Sequence, residues 1–154
     1  MIQRIQTVYL LIAEILIGAL FFVPFGKIVV KAGSIYRCDI KGVYPEAIPK
    51  PDIIFSSLPV DILWAASLIL ILLTIFLFRN RVLQMTLAKI NIFLMLGLGG
   101  LIFYYVWSIA KQLTGIFSFT LYSVFPIISA ILIYLAFRAI DKDEKLVRSI
   151  DRIR

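Results

Sequence analysis

Apolar residues run almost unbroken through four parts of the chain, at residues 5–25, 58–78, 90–110 and 116–137, with polar residues gathered between them. Each run is close to the ~20 residues that a helix rising 1.5 Å per residue needs to cross ~30 Å of hydrocarbon. The pattern predicts four transmembrane helices. Between the first two lies the one sizeable polar segment, residues 26–57. Within it Tyr36, Cys38 and Ile40 alternate with Arg37, Asp39 and Lys41, the two-residue period of a half-buried strand. KIVVK before it and the turn-forming AGS between them supply a partner strand, so this loop is expected to form a small β-hairpin. The stretch YPEAIPKPD carries Pro45, Pro49 and Pro51 and is expected to be an extended connector that does not lengthen the ladder.

After the fourth run, residues 138–154 form a charged tail in which Leu146, Ile150 and Ile153 recur at helical spacing. Asp141 with Lys145 and Glu144 with Arg148 are i,i+4 pairs in the favourable acid-first order. The fourth helix is expected to continue as a tail extension. Its apolar stripe, flanked by Arg148 and Arg152, has three readings: it binds a partner, lies on the lipid surface, or is a solvated helix end. Pro126 is expected to kink the fourth span, and GLGG at residues 97–100 to let two helices approach closely. The fold class expected is therefore an all-α membrane protein of one domain, residues 1–154, with four spans, a hairpin-like outer loop and a helical tail.

Composition agrees: 62% of residues are hydrophobic and 16% charged, whereas a soluble domain is roughly half apolar. The net charge of +7 is spread around the apolar runs rather than gathered into a stripe, which points to topology and not to nucleic acid. With both ends in the cytoplasm, ten Lys and Arg lie on that side and six on the other. The positive-inside rule thus predicts both termini inside. The first run is long, holds Glu14 and lacks an A-x-A site before Pro24, so it is expected to be retained rather than cleaved as a leader.

Candidate chemistry is sparse. The chain has no histidine and one cysteine, Cys38, which removes His-based triads, His metal ligands, an intramolecular disulfide and a cysteine-based metal site. No catalytic residue, cofactor or metal is predicted. Cys38 is read either as a small buried residue on the strand's apolar face or as a thiol that links two chains.

Glu14 is the exception within the spans. It lies nine residues beyond Ile5, about 13 Å into the hydrocarbon. An acid there costs at least ~2.5 kcal/mol against lipid, so it is expected to face protein or water. Gln3, Thr7, Leu10, Ile17, Gly18 and Phe21 share its stripe, which is read as the packing face of the first helix; Thr7, Glu14 and Gly18 are its candidate polar contacts. Three readings of Glu14 stand: protonated and bonded to Ser67, Ser129 or Tyr134; paired with a cation of another subunit; or lining an ion path.

The two ends of the chain carry a resemblance. MIQRIQTVYLLIAEIL, the FFVPF that closes the first run and the final KDEKLVRSIDRIR resemble the DUF4293 family (domain of unknown function 4293), small integral membrane proteins of Bacteroidetes. The resemblance implies a four-helix protein of the bacterial inner membrane and supplies no catalytic residue. The four-span layout with a strand-bearing first loop also resembles claudin-like proteins, a likeness of fold that carries no function. The function expected is a non-enzymatic accessory subunit or scaffold, partnered by the bilayer and by a membrane protein or a second copy. The alternatives are a small ion or solute conduit using Glu14 and, with little support, an intramembrane enzyme acting on lipid.

Overall fold

The structure, a computed structural model, describes residues 5–30, 33–46, 53–78 and 80–151; within the last helix the side chains of 147–151 are left undescribed. Among the described residues four helices form a bundle: α1 (Ile5–Ala19), α2 (Leu58–Phe76), α3 (Arg81–Gln112) and α4 (Phe125–Asp151). Five strands cap one end: β1 (Gly26–Val30), β2 (Ile35–Asp39), β3 (Gly42–Pro45), β4 (Phe55–Ser56) and β5 (Gly115–Phe119), antiparallel in the order β4-β3-β2-β1-β5. Among the described residues three helical stretches, Leu58–Phe76, Arg81–Gln112 and Leu121–Leu146, are long and apolar enough to cross a membrane. They mark the chain as a membrane protein.

The sheet overturns the expected all-α class. Hydropathy assigns residues 116–119 to the start of the fourth span, but IFSF finds a matching strand in GKIVV. Gly26 to Val30 pair in register with Phe119 to Gly115. Continuous apolarity cannot separate a buried strand from a helix, and here the cross-chain partner decides. The expected hairpin of β1 and β2 forms, but the ladder goes further than expected. β3 pairs with β2 up to Tyr36↔Pro45, and β4 closes on β3. Pro45 is tolerated because it ends its strand, where the next bond is made by Glu46 N–H to Ile35 O at 2.9 Å. Pro49 and Pro51 lie outside the described residues.

Helix limits shift accordingly. α1 stops at Ala19, and Leu20, Phe21 and Phe22 donate to carbonyls three residues back, a tightened last turn before Pro24. At 15 residues it is a shorter apolar helix, about 22 Å long. α3 starts nine residues before the predicted 90 because Asn80 caps it, its side chain accepting from Leu83 N–H at 3.3 Å. α4 begins at Phe125, so Pro126 occupies the first turn, where no N–H is needed, and the expected kink does not arise.

β1 to β4 lie between α1 and α2, and β5 between α3 and α4; one sheet therefore fixes both loops at one end of the bundle, the sheet end. The opposite end, the tail end, holds the short α2–α3 turn and the α4 extension, where Arg81 Nη1 donates to Asp143 O at 3.2 Å and lies 3.8 Å from Glu144 Oε2. The sheet is keyed into the helices: Phe25, Ile28, Cys38, Ile40 and Val43 are fully buried and continue the core of Val106, Ile109 and Ala110. Tyr105 OH reaches Phe55 O at 3.2 Å, and Ser57 Oγ donates to Ile40 O.

Candidate functional site

Which way α1 faces decides what Glu14 can do. The inward positions are Gln6, Leu10, Ala13, Ile17 and Leu20, all 0–1% exposed. Leu10 and Ile17 are thus on the packing face as expected. Thr7, Glu14 and Gly18 are not: they form the half-buried edge beside it, at i, i+7 and i+11. Glu14 Oε2 is buried without a hydrogen-bond partner among the described residues. None of its expected partners meets it, since Ser67 Oγ donates to Leu63 O at 2.7 Å, Ser129 Oγ to Ala13 O at 3.4 Å, and Tyr134 is half-exposed. A Cβ placed on Gly18 would touch nothing within 4 Å. The edge therefore combines an unsatisfied carboxyl with an open notch about one turn further along.

Sequence reasoning missed the polar groups that do face inward. Gln6 and Gln84 are 1% exposed and Asn91 is fully buried; Gln6 Oε1, Gln84 Oε1 and both amide atoms of Asn91 lack partners among the described residues. The readable signal was the spacing Gln84, Ala88, Asn91, Met95, Leu98, Ile102, a single seam once the helix is carried back to Arg81. Cross-helix bonds set the depths of these groups. Trp64 Nε1 donates to Ile17 O at 2.8 Å and Gln84 Nε2 to Thr74 O at 3.0 Å. Counting from them, Glu14, Ser67 and Asn91 fall at roughly one depth, and Gln6, Thr74 and Gln84 about two turns, ~11 Å, nearer the tail end. Towards the sheet end the same seams hold only Ile17, Leu20, Met95, Leu98, Ile102 and Val106, packed without exposure beyond 1%.

At the tail end, α1 and α4 line a groove of about 680 Å³. Ile5, Tyr9 and Leu135 form an apolar wall; Arg138, Ala139, Asp141, Lys142, Lys145 and Leu146 form the rest of the lining. The expected Asp141–Lys145 pair is made, at 2.6 Å. Leu146 is exposed on this rim. Arg148 and Ile150 fall in α4 with side chains outside the description, and Arg152 and Ile153 lie outside the described residues.

Beyond the sheet end of the helices, Cys38 is fully buried and its thiol is pushed up to about 12, by burial first and by the neighbouring Asp39 second. It is the buried small residue of the two readings. Asp39 accepts from Tyr44 OH and from Arg37 Nε at 3.3 Å. Burial raises its carboxyl above the ordinary value, and the charges of Arg37 and Lys41 only partly offset this.

Residues 2–153 match the family model described as "Domain of unknown function (DUF4293)". No curated protein and no solved structure matches the chain.

Proposed function

We propose, for a chain that belongs to the DUF4293 family, that it acts by association and not by catalysis, as an accessory subunit or scaffold of a membrane assembly. The Thr7–Glu14–Gly18 edge of α1 seats a transmembrane helix of a membrane-protein partner or of a second copy. The observation that carries this reading is the half-buried Glu14, whose buried oxygen has no partner among the described residues. Lipid offers such a group nothing, at a cost of ~2.5 kcal/mol or more, whereas a neighbouring helix supplies a donor. Gly18 lets that helix come close. The bacterial inner membrane, with both termini and the tail end in the cytoplasm, belongs to the same proposal; the excess of Lys and Arg on that side supports it.

The test is a mild-detergent pull-down of the tagged protein from its native membranes, read by mass spectrometry. The wild type is expected to bring down a membrane protein, or its own second copy, in near-equal amount, and Glu14→Leu and Gly18→Leu to lose it. A wild type that emerges alone, with both variants retaining the normal cellular role, overturns the reading.

One observation favours the conduit as a second reading. Asn91, at about the depth of Glu14, and Gln6 and Gln84, on its tail side, add polar stations. The packed column from Met95 to Val106 counts against a continuous path. Flux through reconstituted vesicles that Glu14→Gln abolishes would favour the conduit; equal flux in wild type and variant would remove it.

A further inference from the structure

The tail-end groove lies on a different part of the molecule from the Glu14 edge and has its own chemistry. Its volume of about 680 Å³ is in the range of small-molecule sites. Lys145 engages Asp141, so that acid does not offset the remaining cations. Arg138 and Lys142, one turn apart, have no acid partner among the described residues. Facing them is the apolar wall of Ile5, Tyr9 and Leu135. The groove is therefore layered, apolar towards the bundle and cationic towards the tail, at the level where α4 passes from its apolar stretch into its charged one.

A soluble anion would gain nothing from the apolar wall, and a neutral lipid nothing from the cations. An anionic phospholipid uses both. We propose that the groove is a binding site for the headgroup of an anionic phospholipid from the tail-side leaflet. The Arg138 guanidinium offers planar, paired donors to the phosphate, Lys142 adds a point charge, and the start of an acyl chain lies along Tyr9 and Leu135. Basic grooves between helices on the positive side of a membrane hold anionic headgroups on these grounds.

The experiment places the full chain in phosphatidylcholine nanodiscs containing phosphatidylglycerol and counts the lipids that survive transfer to detergent, by native mass spectrometry. The wild type is expected to retain phosphatidylglycerol over phosphatidylcholine. The double variant Arg138→Gln/Lys142→Gln should lower that retention roughly tenfold to thirtyfold. Lys41→Gln/Lys111→Gln, which removes the same charge at the sheet end, should leave it unchanged, and Leu135→Ser should weaken it with the charges intact. Equal loss in both double variants would reduce the effect to diffuse attraction and overturn the site. So would displacement of the lipid by millimolar inorganic phosphate, which would make the occupant a free anion, or retention that ignores headgroup charge.

Discussion

Two side chains in the sheet report whether its inner face is as dry as the packing says. The Cys38 thiol, raised to about 12 by burial and by Asp39, stays protonated at working pH. In folded membranes at pH 8 a maleimide is therefore expected to leave it unlabelled from either side, until denaturant releases it. Rapid labelling of the native protein would mean that the face opens. Asp39 tests the neighbouring face through pH. Its raised carboxyl favours the protonated form in the folded sheet, so its contribution to stability is full below the ordinary carboxylate value of ~3.9 and is lost as pH rises through the raised one. Hydrogen exchange over residues 35–45 should accordingly slow on acidification across that window, and Asp39→Asn should flatten the response. The alternation around Cys38 was legible because a two-residue period needs only local sequence. The orientation of Glu14 was not, because its stripe and the true inward stripe share Leu10 and Ile17.

Among the elements, β5 is the one that hydropathy hides and pairing creates. Gly115 opens it where β1 comes close: an added Cβ would lie 2.8 Å from Ile28 Cγ2 and 3.0 Å from Val29 O. Gly115→Ala is expected to destabilise by about 1–3 kcal/mol, by overpacking against β1, and to loosen exchange in β1 as well as β5. Pro126→Ala, by contrast, should change stability by less than about 1 kcal/mol, since the ring sits in a first turn and bends nothing. A thermal melt in detergent separates the two; a large loss from Pro126→Ala would restore the kink. The same contrast explains what could be read in advance. Each of the four apolar runs holds a helix, but the fourth opens in β5, and charges at Arg81 and Lys89 hid the first turns of α3 because a hydropathy window discards them while a helix does not. The β1–β5 pairing needed the knowledge that two distant loops share one end, which no local window holds.

Over the whole molecule, the sheet and the tail make the two ends unlike. Lys27 and Ser118 face each other across β1 and β5, at the Cα spacing that an antiparallel pair gives a disulfide. Lys27→Cys with Ser118→Cys is expected to crosslink under mild oxidation, seen as a reducible gel shift; failure to do so would unmake the shared sheet and with it the placing of both loops at one end. That pairing also sets the order of assembly. Val30 and Gly115 meet in the sheet although 85 residues of chain separate them. At ~5–20 residues per second of synthesis, β1 waits roughly 4–17 s for its partner. During that interval its outer edge stands with backbone donors and acceptors unmet, a template for any other extended chain nearby. The moment of greatest danger for this protein thus comes during its own biogenesis, and a chain stalled before residue 115 is left with an adhesive edge at the sheet end of the bundle.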